Sequence, residues 1–170
     1  MRTLVLLALC LVAAPLSAAR IMIKGQVTDA ASRLPLSGAL VRVYKEGVKV
    51  HEEATGPNGR YHVVLEPGAR YMLRFSLPGR VTKCFALDAR GAAWEGDGMV
   101  KEAEVEMTLF ERVEGLDLSF FDWPMGLARF NPMTGYLSWD RAYEERIMPE
   151  AARLLAEALR LRDAALSRHP

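Results

Sequence analysis

A run of alternating apolar and polar residues with two tight turns spans residues 39–65, and it constrains the fold more than any other feature. Val41 and Val43 fall on one face of an extended segment, and the residues between them fall on the other. Gly47 permits a first turn. The sequence Thr-Gly-Pro-Asn-Gly at 55–59 specifies a second turn, because Pro fixes φ and Asn-Gly tolerates left-handed geometry. The stretch therefore predicts a β-meander.

The same period of two recurs on both sides of this meander. It marks further strands at 21–27, 70–76, 81–87 and 103–111, with Gly and Pro between most of them. About seven short strands at this spacing predict a mainly β protein, a seven-stranded antiparallel β-sandwich of two sheets.

The first 19 residues have the three parts of a secretory signal peptide. A positive start at Arg2 is followed by an apolar run over 4–14, and Ser17, Ala18 and Ala19 are small, as a cleavage site requires. The run is too short to span a bilayer, so we expect cleavage after Ala19, export, and no transmembrane segment in the mature chain.

Composition agrees with a globular exported domain. The chain has 170 residues, of which 51% are hydrophobic, and 22 basic residues nearly balance 21 acidic ones, so no nucleic-acid partner is expected. Cys10 lies in the leader, which leaves Cys84 without a disulfide partner in the mature monomer. Because Cys84 falls within a predicted strand, we interpret it as a small buried side chain.

Several motifs together resemble the carboxypeptidase regulatory-like domain family. They are Gly-Gln-Val-Thr-Asp at 25–29, Leu-Ser-Gly-Ala-Leu-Val at 36–41, Thr55 with Asn-Gly-Arg-Tyr at 58–61, Pro-Gly at 67–68 with Tyr71, and Phe-Ser with Pro-Gly within 75–79. The resemblance covers residues 21–111 and implies a transthyretin-like sandwich, related in architecture to immunoglobulin domains. Members accompany peptidases, adhesins and outer-membrane receptors, and also occur alone in exported proteins of Gram-negative bacteria. The matching positions are turn and core residues, so the resemblance implies a scaffold and no particular activity.

Catalytic and cofactor motifs are missing from the sequence. The three histidines form no HExxH or HxxE pattern, and neither GxSxG nor a phosphate-binding loop occurs, so we expect no enzyme activity, cofactor or metal. His51 and His62 could meet across a hairpin as a weak surface metal site. The preferred interpretation is two solvated histidines on a sheet face.

Residues 113–140 form an aromatic-rich extension after the sandwich, which we assign to 20–112. Short strands near 127–130 and 136–139 with a hairpin between them are predicted. Its aromatic residues could cover an open edge of the sandwich, or they could form a contact platform for a partner or glycan. The candidate contact residues are Trp94, Trp123 and Trp139.

Residues 141–170 are predicted to contain an amphipathic helix. Asp140 can cap it, and an apolar stripe runs from Ile147 to Ala165 at helical spacing. Pro149 predicts a break or kink, with the main helix beginning near it and ending near Ser167. The stripe could pack on the sandwich, or it could dock a partner or a second copy.

These features predict an exported, non-catalytic β-sandwich module that acts as a structural or protein-interaction domain in a bacterial cell envelope, in the periplasm, at the cell surface or secreted. Its partner is expected to be an envelope protein or a glycan. One alternative is a carbohydrate-binding module that uses Trp94, Trp123 and Trp139. Another is an accessory subunit of a separately encoded peptidase.

Overall fold

The computed structural model describes residues 20–90, 100–131, 134 and 136–167. The predicted leader at 1–19 and Trp94 lie outside the described residues. The described strands are β1 (Arg20–Asp29), β2 (Leu40–Lys45), β3 (Val48–Ala54), β4 (Arg60–Leu65), β5 (Arg70–Ser76), β6 (Lys83–Asp88), β7 (Val100–Glu104), β8 (Met107–Leu109), β9 (Pro124–Asn131) and β10 (Tyr136–Trp139). A 3₁₀ helix (Ser119–Asp122) precedes β9, and one α-helix, α1 (Arg141–Leu166), follows β10.

The strands form two sheets that pack as a sandwich, which confirms the predicted fold class. One sheet has the order β4-β1-β7, with β8 pairing farther along β1, and the other has the order β10-β9-β6-β5-β2-β3. Two details differ from the prediction. The described residues contain ten strands rather than seven, and β1 pairs with β7 and β8, and β6 with β9, in parallel.

The predicted single strand at 103–111 is divided in two because the chain bends at Val105. The Val105 amide donates to the carbonyl of Lys24 at 2.8 Å, and its carbonyl accepts from the Tyr61 hydroxyl at 2.6 Å. That carbonyl lies directly over Gly25, where any Cβ would collide with it. Gly25 therefore allows both halves of the segment to pair with β1.

The main core lies between the two sheets. Tyr61, Phe75 and Phe85 run through its centre, with ring centroids 5.1 Å apart for the first pair and 6.0 Å for the second. Aliphatic side chains from the inward faces of both sheets surround them, including Ile23, Val41, Leu73 and Leu87. Each such fully buried side chain contributes about 1.5–3 kcal/mol of hydrophobic stabilisation.

A second apolar cluster joins α1 to the sandwich. Leu154, Ala151 and Ala158 of the helix pack with Phe110 and Phe121, together with Val81 and Leu118. The rings of Phe110 and Phe121 meet edge to face at 5.1 Å. The apolar stripe of the helix thus packs on the sandwich, which was the first of the two predicted alternatives.

The helix boundaries confirm one prediction and correct another. Asp140 is the N-cap, and its carboxylate accepts from the Tyr143 amide at 3.0 Å. The predicted break at Pro149 is wrong, since α1 runs without interruption from Arg141 to Leu166. Burial of Ile147 and Ala151 on either side of the proline offsets the hydrogen bond that it lacks.

The aromatic-rich extension completes the six-stranded sheet. β9 pairs in parallel with β6, and β10 pairs antiparallel with β9, so the two predicted short strands are confirmed, although β9 begins earlier, at Pro124. Part of the turn between them lies outside the described residues. The start of α1 then lies along β9, where the Tyr143 hydroxyl donates to the carbonyl of Pro124 at 2.8 Å. The edge of β6 is therefore covered, as the first interpretation of the extension expected.

Among the described residues, no helix combines the length and the apolar character that crossing a bilayer requires.

Candidate functional site

The outer face of the six-stranded sheet forms an open trough with an apolar floor. Tyr44, Met72, Ala86 and Leu127 are register partners on four neighbouring strands, and all four are half-buried. Their inward-facing neighbours fill the main core, so these side chains point away from it. Two adjoining cavities of about 610 and 470 Å³ follow this row. We call this surface the outer trough.

Arginines flank the floor on both sides. Arg42 and Arg74 are directly opposed on β2 and β5, on one side of the floor. Arg70 and Arg129 lie on the other side, in one row that also contains Asp88. Arg90 already binds both carboxylate oxygens of Asp88, at 2.9 and 2.7 Å. Glu46 and Asp140 also line the two cavities, so the trough carries carboxylates as well as arginines.

Arg74 is incompletely satisfied. Its Nε is buried and has no hydrogen-bond partner among the described residues, and the carboxylate of Asp122 is 3.7 Å from Nη2. Arg42, in contrast, donates to Glu52 at 2.6 Å and to Ser76 at 2.9 Å. Like charges on opposed strands destabilise a sheet, and an unpartnered buried donor costs about 1–3 kcal/mol. The contacts of the described residues show no evident gain in stability from this pair.

The candidate tryptophans occupy different surroundings. Trp123 is 68% exposed and immediately precedes β9, whose first residue, Pro124, pairs with Cys84 in the row of Arg74. Trp139 is half-buried, and its ring meets Phe85 edge to face at 5.8 Å. No ring contact joins these two tryptophans in the part of the chain that the structure describes, so they do not form one aromatic platform.

A separate cleft lies between α1 and the edge of the sandwich, with a volume of about 460 Å³. We call it the helix cleft. Trp139 and Gly126 form part of its wall, and they are so close that a Cβ on residue 126 would lie 2.7 Å from the indole. The remaining lining is mostly apolar and includes Phe85, Met107, Phe121, Met125, Met148 and Leu155.

Lys83 lines the helix cleft and is unusual for its burial. Its side chain is only 7% exposed, and its Nζ lies 5.1 Å and 5.2 Å from the ring centroids of Phe110 and Phe121. Within 20–90, 100–131, 134 and 136–167, no carboxylate pairs with it and no hydrogen-bond acceptor binds it. Burial lowers the pKa of this ammonium from 10.5 to about 8.

Sequence reasoning missed Lys83 and the arginines of the outer trough. Lys83 alternates along its strand with Val81, Phe85 and Leu87, so its side chain belongs to the inward face. That pattern alone could have identified Lys83 as an inward-facing lysine. The opposed arginines are 32 positions apart, and only the register of β2 and β5 brings them together.

The remaining sequence predictions concern cysteine and histidine. Cys84 is buried, as predicted, and burial raises the pKa of its thiol. His51 lies near Glu53, whose carboxylate accepts from the backbone amide of His62 at 2.8 Å. The described residues hold no group of three or more His, Cys, Asp or Glu side chains suited to a metal ion.

Comparison with solved structures finds dioxygenases at low similarity. They include 3-chlorocatechol 1,2-dioxygenase from Rhodococcus opacus 1CP, with 13% identity, TM-score 0.41, and coverage of 56% of this chain and 61% of that chain. Hydroxyquinol 1,2-dioxygenase from Pseudomonas putida DLL-E4 has 13% identity, TM-score 0.42, and coverage of 56% and 57%. The dioxygenase domain of a dioxygenase carbohydrate-binding protein fusion from Streptomyces sp. SirexAA-E has 14% identity, TM-score 0.42, and coverage of 56% and 82%. The chain thus spans about three fifths of the first two proteins.

No curated protein matches this chain. A family model does match, over residues 22–92, and it describes the carboxypeptidase regulatory-like domain. The matched segment contains β1 to β6 and the motifs at 25–29 and 36–41 that carry the resemblance in sequence. Residues 22–92 therefore resemble a carboxypeptidase regulatory-like domain, and β7 to β10 and α1 lie outside the matched segment.

Proposed function

We propose that this protein is an exported, non-catalytic interaction module of the cell envelope, and that it binds a partner protein through the outer trough. The partner surface would present acidic side chains around an apolar centre. Such a surface complements a floor of Tyr44, Met72, Ala86 and Leu127 between two pairs of arginines.

The observation that carries this proposal is the buried, unpartnered Nε of Arg74 beside the opposed Arg42. A carboxylate from a partner would bind the exposed part of the Arg74 guanidinium, whose side chain is 37% exposed, and offset the two positive charges. Trp123, exposed nearby before β9, adds a rigid apolar side chain of the kind that anchors interfaces.

The test is a crosslinking affinity purification from the organism's own envelope, followed by binding measurements with the purified partner. Met72→Glu places a negative charge on the trough floor, and Arg129→Glu reverses an exposed charge at its side. We expect each substitution to weaken binding at least about tenfold, because both oppose an acidic partner surface.

Val64→Glu is the matched control. Val64 is exposed on β4 of the other sheet, so this substitution adds the same charge away from the trough. A partner that binds all three variants as tightly as wild type would contradict the proposed surface. A glycan, or a peptidase that binds elsewhere, would favour one of the alternative functions instead.

Export is the second component of the proposal, and the residues at 1–19 support it. Expression in a Gram-negative host with cell fractionation and intact-mass measurement tests it. We expect the mature chain in the envelope or medium to begin at Arg20. A full-length chain in the cytoplasm would contradict export without affecting the proposed binding surface.

A further inference from the structure

We propose that the helix cleft binds a small apolar molecule with a single carboxylate, whose head pairs with the Lys83 ammonium. This site is separate from the outer trough, and it would give the module a small-molecule ligand in addition to its proposed protein partner.

The shape and lining of the cleft define the body of the ligand. Its volume of about 460 Å³ is within the range of small-molecule sites, and aromatic and methionine side chains dominate its wall. Met107, Met125 and Met148 come from three different elements, and their flexible thioethers can adapt to ligands of somewhat different outline.

Lys83 defines the head group. A lysine that is 93% buried normally has a carboxylate partner, whereas among the described residues the Nζ of Lys83 contacts the faces of Phe110 and Phe121 and forms no ion pair. A ligand carboxylate at this point would give the ammonium the counter-ion that the described part of the chain does not provide. Pairing in such a dry site is stronger than at the surface.

The charged groups around the mouth restrict the ligand further. Glu104 and Glu106 are exposed on the sandwich side, and Glu144 is half-buried on the helix side. Their negative charges repel molecules with several anionic groups. A ligand with one carboxylate beside Lys83 and a neutral tail suits both the interior of the helix cleft and its acidic mouth.

The test uses calorimetry with decanoate, methyl decanoate and decylamine, each below its micelle concentration. We expect wild type to bind decanoate at least tenfold more tightly than decylamine. Lys83→Met should lower decanoate affinity at least tenfold and leave methyl decanoate unchanged, because only the charge pair is lost. Lys49→Met, at an exposed lysine, is the control and should bind all three probes like wild type.

A second pair of variants tests the location without altering Lys83. Ala152→Phe fills the mouth from an exposed position that lines the cleft, whereas Ala156→Phe adds the same ring one turn later on exposed helix surface. We expect Ala152→Phe to abolish binding of both decanoate and its ester, and Ala156→Phe to preserve it. The proposal is overturned if wild type does not bind decanoate, or if Lys83→Met or Ala152→Phe binds it normally.

Discussion

At the scale of single residues, Lys83 shows how a charge can be retained inside an apolar environment. Its ammonium has lost most of its hydration, and the faces of Phe110 and Phe121 return only part of that energy. Burial therefore lowers its pKa to about 8, so that the native protein releases this proton more readily than the unfolded chain does. Lys83 thus makes the native state less stable than an apolar residue of similar length would.

We predict that Lys83→Met raises the free energy of unfolding at pH 7 by about 1–3 kcal/mol, because it removes a buried charge and keeps the packing. Between pH 8 and 10.5 the unfolded chain holds the lysine proton while the native state has released it. Wild-type stability therefore rises with pH across this window relative to the variant, and the difference narrows. Urea unfolding at pH 7 and pH 10 measures both effects.

Lys49→Met provides the comparison at an exposed lysine, where no such change with pH is expected. If Lys83→Met is less stable than wild type at pH 7, the contacts with the two rings outweigh the cost of burial.

At the scale of secondary structure elements, α1 contains a proline that contributes no evident packing. Pro149 is exposed in the middle of a helix of 26 residues, while Ile147 and Ala151 nearby are buried. The helix persists because burial of its apolar stripe exceeds the cost of one missing hydrogen bond.

We predict that Pro149→Ala raises the free energy of unfolding by about 1–3 kcal/mol, because the new amide can donate to the carbonyl of Glu145. The reverse change at a similarly exposed site, Ala156→Pro, should lower stability by about 3 kcal/mol or more. Thermal unfolding of the three proteins measures both. An unchanged or reduced stability for Pro149→Ala would show that the proline has a favourable role in α1.

The sequence allowed most elements to be predicted but not how some of them pair. Alternation located β1 to β6 to within a few residues, and in most of them it reflects one buried face, as in β4 from Arg60 to Leu65, although β3 is exposed along nearly all of its length. The parallel pairing of β6 with β9 depends on a link of 35 residues, and local pattern carries no information about the direction in which such strands meet. The division of β7 from β8 depends on Val105 meeting Gly25, which is a tertiary contact.

At the scale of the whole molecule, the family domain is not a complete sandwich by itself. β9 and β10 are two of the six strands of the larger sheet. Phe121 and α1 cover Phe110 and Val81. Residues beyond 112 therefore contribute to both the sheet and the second cluster.

We predict that a chain of residues 20–112 is at least about 3 kcal/mol less stable than a chain of residues 20–167, because it exposes Phe110, Val81 and the edge of β6. Urea unfolding measures the loss, and light scattering after size-exclusion chromatography measures the association that an open edge promotes. A shorter chain that is monomeric and equally stable would contradict this account.

Each candidate site is formed by residues that are far apart in the sequence, so the sites could be predicted only in part. The helix cleft collects residues from Lys83 to Leu155, and the outer trough collects residues from Arg42 to Arg129. Trp123 could be singled out from the sequence as a candidate contact residue because it lies in an aromatic segment beside a proline, and the structure shows that it is exposed. The pattern of its strand marks Lys83 as inward-facing, but only the structure shows that no described carboxylate pairs with it and that the Nε of Arg74 is buried.

The second apolar cluster also affects how the protein can be made. Its members extend from Val81 to Ala158, so a nascent chain cannot assemble the cluster until synthesis of all but the last few residues is complete. Until then Phe110 and Phe121 have no helix to cover them, and the second cluster is completed only after β1 to β6 of the main core have been made.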